Sequence, residues 1–503
     1  MRSFISSSNF PQLNDPTLLQ PYPFLNNKFL HPSADTPTFP VHDPATSLLI
    51  ASLPDQTAQD AETFIAAAAT AFKSFRRTTP RSRATLLRKW YDLLIANRDD
   101  IATLITHENG KPLADALGEV NYAASFLLWF SEEAPRLNGQ TIPVTTASNR
   151  VITMLEPVGV CGLITPWNFP AAMITRKIAP AIAAGCTVVI KAPSETPLTS
   201  LALAELSRRA GIPDGVVNVL TTHKNTIDIG NALCTSPTVR KISFTGSTPV
   251  GKTLMGASAS TLKKLSFELG GNAPFIVFND SDLSLAIEGA VASKFRSSGQ
   301  TCVCANRIFV QSGVYDEFAA RLAEKVKNFS VGHGFTDGIT HGPLIHSRAL
   351  AKVKEHVDDA VSLGASVLVG GQALPDVGEN FYAPTVLRDM KPEMKLHGEE
   401  TFGPVAGLFK FETEKEVVAL ANETEVGLAA YLFSTDLGRV WRVAEALEVG
   451  MVGVNTGLIS DPAAPFGGVK ESGFGREGST LGVHEYTVVK KITFGGLGGE
   501  LEG

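Results

Sequence analysis

From residue 158 onward the sequence alternates short apolar runs with helix-patterned segments, and that alternation restricts the fold more than any other feature. The runs at 158–164, 187–191, 216–220 and 239–245 read as strands, with helical segments at 171–184 and 198–210 between them. A second set begins after position 271, with strands at 275–278, 307–310, 366–369 and 405–410 and helices at 283–295, 315–329, 349–363, 414–421 and 437–447. Such alternation builds open parallel sheets with helices on both faces, and these sheets bind ligands beyond the carboxyl ends of their strands. A chain of 503 residues exceeds what one core usually holds, so the pattern predicts an α/β protein with two doubly wound parallel-sheet domains. Helices are expected at 58–71, 81–97, 101–106 and 114–130, after an irregular entry. The extended stretch at 151–155 sits between two helical regions and is expected to leave its domain and pair elsewhere, and the tail at 486–494 also reads as a strand.

The formal net charge of −6 offers no basic field for nucleic acid or an anionic membrane surface. No stretch is long and apolar enough to span a membrane, since the best candidate, 171–190, is interrupted by Arg176, Lys177 and Pro180. The five cysteines are Cys161, Cys186, Cys234, Cys302 and Cys304. An odd, scattered set in a large chain implies free thiols in a reducing compartment, and no spacing suggests a metal site. The serines and single arginine of 1–10 resemble a transit segment, but the stretch is short and not clearly amphipathic, so the expected location is the cytoplasm, with the mitochondrial matrix as the alternative.

Three stretches carry chemistry. Gly299-Gln300-Thr301-Cys302 places a cysteine among small and polar residues beside a glycine that permits a tight turn. Phe267-Glu268-Leu269-Gly270-Gly271 supplies a carboxylate with a flexible exit, and Pro166-Trp167-Asn168-Phe169-Pro170 supplies a braced amide. Together they offer the nucleophile, general base and oxyanion donor of an acyl-enzyme mechanism. Phe244-Thr245-Gly246-Ser247 follows an apolar strand and opens a helix, a place where a backbone can approach a pyrophosphate. An ordinary strand-to-helix turn reads the same way. Lys191 closes a strand either as a ligand for ribose or phosphate, or as a solvated surface lysine.

These motifs, with Glu400-Thr401-Phe402-Gly403-Pro404 and Pro465-Phe466-Gly467-Gly468, occur in the order found in the aldehyde dehydrogenase superfamily. The resemblance runs from about residue 30 to the C-terminus. Met173-Ile174-Thr175-Arg176-Lys177, Lys294-Phe295-Arg296, Cys302-Val303-Cys304 and Gly457-Leu458-Ile459-Ser460 resemble the members that oxidise succinic semialdehyde. The resemblance implies a coenzyme-binding domain over 1–136 and 156–268, a catalytic domain over 269–467, and a small bridging and oligomerisation sheet from 137–155 and 484–503. Family members assemble as homodimers or homotetramers.

By the same resemblance Cys302 is the nucleophile, Asn168 an oxyanion donor, Glu268 the base that activates water, and Lys177 a residue that shapes the site. Thr165, Pro166, Trp167, Lys191, Ser194, Gly246, Ser247, Leu269, Glu400 and Phe402 are the implied dinucleotide contacts. Many NAD-using relatives carry a glutamate where Ser194 stands. Its loss removes a charge that would repel a 2′-phosphate, so NADP is expected over NAD. Arg176 and Arg296 are expected to hold the distal carboxylate of succinic semialdehyde with Ser460, because a buried carboxylate calls for directional cationic donors. Phe130 and Phe466 are expected by the resemblance to wall the substrate tunnel, although the sequence pattern alone favours a core position for Phe130. Cys304 is either a small core residue or a partner that captures an oxidised Cys302 as a disulfide. The alternatives are glutarate semialdehyde or a broad aldehyde range, or a catalytically silent relative that keeps only the fold.

Overall fold

A computed structural model describes residue 10 and residues 12–498 of the chain. The transit-like segment at 1–9 and the last five residues of the expected bridging segment lie outside the described residues.

Two large sheets and one small one organise the chain. The first has eight strands in the order Lys28–Phe29, Phe24–Leu25, Val217–Leu220, Thr187–Lys191, Val160–Ile164, Val239–Thr245, Lys264–Glu268 and Gly473–Phe474. Its five central strands are parallel. They are buried on both faces, which is why Thr187–Lys191 reads as a continuous apolar run rather than an alternating one. Strand order reverses between Val160–Ile164 and Val239–Thr245, so a crevice opens where Thr165 and Gly246 leave the sheet side by side. The helix Ala172–Ala184 crosses between strands with all of its residues buried.

The second sheet has seven strands, ordered Ser366–Val369, Thr385–Arg388, Val405–Phe411, Ala305–Gln311, Ala273–Val277, Ala429–Phe433 and Met451–Val454. All neighbours are parallel except the first pair. The strands Thr385–Arg388, Ala429–Phe433 and Met451–Val454 escape the sequence reading. They are short, and an apolar run such as Ala-Ala-Tyr-Leu-Phe has no period that separates strand from buried helix. Arg150–Pro157 does leave the first sheet. It pairs antiparallel with Thr487–Phe494 along its full length and with Thr141–Ile142, forming a third sheet. Among the described residues no helix is long and apolar enough to cross a membrane.

A buried arginine ties the second sheet to the crevice. Arg307, 1% exposed, donates to the carbonyls of Asn272, Leu420 and Ala421 at 2.8–3.1 Å. Its neighbour Asn306 donates to Asn272 Oδ1 at 2.8 Å. The two hold the segment that follows Glu268-Leu269-Gly270-Gly271. Arg307→Leu leaves three buried carbonyls without donors. It should destabilise the protein by about 3 kcal/mol or more, read as a lower midpoint in thermal unfolding, with the activity of the folded fraction also reduced.

Candidate active site

The loop that carries Cys302 is built against backbone preference. Ser297, Ser298 and Gly299 have φ of 51°, 54° and 76°, a left-handed run that L side chains rarely adopt. Gly299 has no alternative, because a Cβ there would lie 2.0 Å from the Gly403 carbonyl oxygen. Hydrogen bonds hold the run in place. Ser298 Oγ donates to Gly342 O at 2.8 Å, and the Gln300 amide donates to Pro343 O and accepts from Ile345 N. Cys304 N donates to Thr301 O at 3.0 Å, closing a turn with Cys302 at its corner. Cys302 is half-buried and lines a cavity of 280 Å³. Cys304 is buried elsewhere, with Sγ donating to Lys294 O at 3.5 Å, and is no part of the cavity wall.

Asn168 lines the same cavity as Cys302. Its Nδ2 donates to Gln300 O at 3.0 Å, so one amide hydrogen is spent on orientation. The backbone beneath it is pinned by a buried ion pair: Lys111 Nζ reaches Asn168 O at 2.7 Å and Glu119 at 2.5 Å, and Glu119 accepts from Ala171 N at 2.8 Å. Glu268 ends the strand Lys264–Glu268 behind the wall, 3% exposed, and its Oε2 has no hydrogen-bond partner. Burial, then the charge of Glu477, pushes its carboxyl well above the usual carboxylate range, against Arg176 and Lys177. Burial likewise pushes the Cys302 thiol up to about 12, with Arg176 pulling the other way. Burial thus acts against ionisation of both the Cys302 thiol and the Glu268 carboxyl.

The residues expected to meet a dinucleotide fall into two groups. Pro166, Trp167, Gly246 and Ser247 line the cavity, as do Leu269, Glu400 and Phe402. The helix Thr248–Ser258 opens there without a side-chain cap, leaving backbone N–H groups turned toward an anion. The hydroxyls of Thr165 and Thr245 are buried without partners, and a Cβ on Gly246 would strike the Phe244 ring at 2.4 Å. Uncapped amides, orphan hydroxyls and an obligatory glycine fit a pyrophosphate-bearing cofactor. Burial pushes the Glu400 carboxyl up to about 7, against Lys352, a lysine of the cavity wall absent from the sequence reading. Lys191 and Ser194 stand apart from this cavity. Lys191 is buried rather than solvated, and Ser194 Oγ donates to Glu195 Oε2 at 3.1 Å. Glu195 therefore brings a carboxylate to the place where Ser194 lacks one.

Arg176, Arg296, Ser460 and Phe466 line the same cavity as Cys302. The Arg296 guanidinium lies 4.8 Å from the centre of the Phe169 ring. Asp461, next to Ser460, is exposed and accepts from Ala463 N at 2.8 Å, within its own loop. One expectation needs correction. Phe130 is fully buried in the core beneath the first sheet and does not wall the cavity. Tyr122 does, two helical turns earlier on the same stripe, its ring 4.9 Å from Phe126. An i, i+4, i+8 stripe spans roughly 12 Å, and periodicity identifies the stripe without saying which end meets the cavity. Lys177 is outside the wall. It is fully buried, donates to Ser243 Oγ at 3.1 Å and pairs with Glu477. Nothing in the sequence marks Glu477, whose partners are about 300 residues away.

A thiol, a buried carboxyl and an amide thus gather at the carboxyl-end crevice of a doubly wound sheet, the place where such folds bind their ligands. The sequence profile of the aldehyde dehydrogenase family matches residues 31–492, and the chain belongs to that family. It is 53% identical over 493 residues to the NADP(+) succinate-semialdehyde dehydrogenase of Saccharomyces cerevisiae, covering 98% of this chain and 99% of the relative. It is 51% identical over 487 residues to the glutarate-semialdehyde dehydrogenase of Pseudomonas aeruginosa, covering 97% and 100%. The crystal structure of succinate-semialdehyde dehydrogenase from Burkholderia pseudomallei superimposes with a TM-score of 0.95 at 52% identity, over 96% of this chain and 100% of that one.

The electrostatics of Cys302 give a test without substrate. With a thiol near 12, the thiolate fraction in the ligand-free protein rises about tenfold per pH unit below that value. The rate of Cys302 alkylation by iodoacetamide, followed by mass spectrometry, should climb continuously from pH 7 to 10. Arg176→Ala removes a cation that favours the thiolate, so its rate should be lower at every pH in that range.

Proposed function

We propose that this chain oxidises succinic semialdehyde to succinate, with NADP preferred over NAD. The observation that carries the reading is the presence of Arg176, Arg296 and Ser460 on the same cavity as Cys302. An aldehyde with a distal carboxylate can then set its charged end against two guanidinium groups and a hydroxyl while its carbonyl meets the thiol.

Cys302 Sγ, once deprotonated, adds to the aldehyde carbon and forms a thiohemiacetal. The oxyanion is received by the second hydrogen of Asn168 Nδ2 and by the Cys302 N–H, and one such donor in a dry site contributes about 3 kcal/mol. When bound, the nicotinamide dinucleotide supplies the hydride acceptor that makes the change from thiohemiacetal to thioester an oxidation. Glu268, in its ionised form, takes a proton from water as that water attacks the thioester. Succinate leaves, and the thiol is restored. Lys177 acts from behind the wall by holding Glu477. Gly246, Ser247 and the helix that opens beside them would hold the pyrophosphate, with Thr165, Pro166 and Trp167 bordering the cofactor. Leu269 would serve the nicotinamide amide, Glu400 and Phe402 the nicotinamide ribose, and Lys191 and Ser194 the adenosine ribose.

The NADP preference rests on Ser194, on Lys191 and on similarity to the yeast enzyme. It requires Glu195 to turn away from Ser194 when a 2′-phosphate arrives. Similarity to the Pseudomonas aeruginosa enzyme supports a second reading, glutarate semialdehyde, which is one methylene longer. One methylene in a pocket usually discriminates by about 10- to 200-fold. Self-association as a dimer or tetramer is supported by the exposed apolar residues Val488, Val489 and Phe494 on the strand Thr487–Phe494. The cytoplasm is the proposed location, with the mitochondrial matrix as the alternative.

Initial rates with succinic semialdehyde, glutarate semialdehyde and butanal, each with NADP and with NAD, test the reading. Succinic semialdehyde with NADP should give the largest kcat/KM. Arg176→Ala should lower it for all three aldehydes through the lost support of the Cys302 thiolate, and for the two charged aldehydes by about a further 10-fold or more. Equal rates for butanal and succinic semialdehyde would refute the substrate assignment. Separately, Glu195→Gln should lower the KM for NADP, because it removes a carboxylate beside the 2′-phosphate position.

A further inference from the structure

Arg176 is held on two sides. Its Nε donates to Glu477 Oε2 at 2.7 Å, with Nη2 2.5 Å from the same oxygen. The Phe466 ring lies against the guanidinium, its centre 4.0 Å from Cζ. Phe466 and Glu477 are themselves joined, each backbone N–H donating to the other's carbonyl at 2.8 Å in an isolated antiparallel bridge. Carboxylate and ring therefore belong to one rigid piece of backbone, and the guanidinium sits in the angle between them. The other oxygen of Glu477 is engaged by Lys177. Arg176 and Phe466 line the cavity, whereas Glu477 does not.

The arrangement divides the guanidinium. Its Nε is committed to Glu477 by a hydrogen bond, and Nη2 lies within ion-pair distance of the same oxygen without hydrogen-bond alignment. No protein acceptor among the described residues takes Nη1, which stays free for a ligand. The charges add to the same effect. Burial works against ionisation of Glu477, but Lys177 and Arg176 outweigh it and hold the carboxyl down at about 2. Arg176, Lys177 and Glu477 together thus carry one surplus positive charge. An entering carboxylate neutralises that surplus, whereas an uncharged aldehyde leaves it buried and unpaired.

We propose that Glu477 is a positioning residue for substrate selection, fixing Arg176 side-on so that its free edge meets the distal anion of the aldehyde. The inference rests on the reading of the cavity as a site for a carboxylate-bearing aldehyde, and it adds a residue that never touches substrate. Glu477 acts through reach and hydrogen bonding, so its two conservative replacements separate. Glu477→Gln keeps the length and an acceptor for Arg176 Nε. Glu477→Asp keeps the charge but is one methylene too short to hold the guanidinium.

The test is KM and kcat for succinic semialdehyde and for butanal in wild type and both variants, with a thermal melt of each. Glu477→Asp should raise the KM for succinic semialdehyde about tenfold and shift kcat/KM for butanal less than about threefold. Glu477→Gln should recover most of the selectivity. A uniform fall for both substrates, or an unchanged KM for succinic semialdehyde in Glu477→Asp, overturns the proposal and leaves the substrate reading intact. A wild type that does not prefer succinic semialdehyde over butanal overturns the substrate reading and this inference with it. If Glu477→Asp does not fold, Glu477→Gln decides alone: retained selectivity supports positioning by the hydrogen bond, and a uniform loss refutes it.

Discussion

The site depends on one unfavourable stretch of backbone. Residues 297–299 turn through left-handed geometry, which costs a non-glycine residue roughly 1–2 kcal/mol. The turn places Cys302 between the two large sheets. It persists because the surroundings leave it no other path: Gly299 packs on the Gly403 backbone, and Ser298 and Gln300 are bonded into 342–345. Strain of this kind gathers where a fold must aim a reactive group. Asn168 is aimed by the same loop, through the Gln300 carbonyl. Nucleophile and oxyanion donor thus share one support, and a shift in the loop displaces both together.

Dryness is the second constraint, and it acts against ionisation everywhere in the crevice. Burial is the largest influence on Cys302, Glu268 and Glu400, and it moves all three toward their neutral forms. A low-dielectric site strengthens each hydrogen bond to an oxyanion, but it also makes a resting thiolate expensive. The cations answer this unevenly. Arg176 favours the thiolate, and it does so while committed to Glu477 on its other edge. In the proposed reaction the charge that recognises substrate and the charge that assists the nucleophile are therefore the same guanidinium.

Much of this architecture is legible in the sequence, because buried parallel strands are written as apolar runs and the chemistry is carried by short contiguous motifs. The strands at 187–191 and 239–245 and the stretches around Asn168, Glu268 and Cys302 all belong to that kind. What is not legible is relational. Phe130 and Tyr122 lie on one helical stripe, and only the packing of that helix decides which end meets the cavity. A carboxylate beside Ser194 is legible in Glu195, but only the fold shows that it bends back onto Ser194. Glu477 is an ordinary acidic residue in a glycine-rich stretch until folding brings it to Arg176 and Lys177. The strands at 385–388, 429–433 and 451–454 are too short to show a period, and tertiary pairing alone defines them.

The third sheet has a consequence for how the protein is made. Arg150–Pro157 finds its full-length partner only in Thr487–Phe494, and the ion pair between Lys490 and Glu156 spans 334 positions. At roughly 5–20 residues per second of synthesis, the ribosome needs about 20–70 s to produce the second strand after the first has emerged. During that interval the first strand has an open edge, a template for pairing with the wrong chain. Arg176 and Lys177 wait nearly as long for Glu477, so the nascent helix carries two uncompensated cations that resist burial. Early collapse of the catalytic crevice is disfavoured until the last few dozen residues arrive, and the nascent chain in that window is the form that most needs a chaperone.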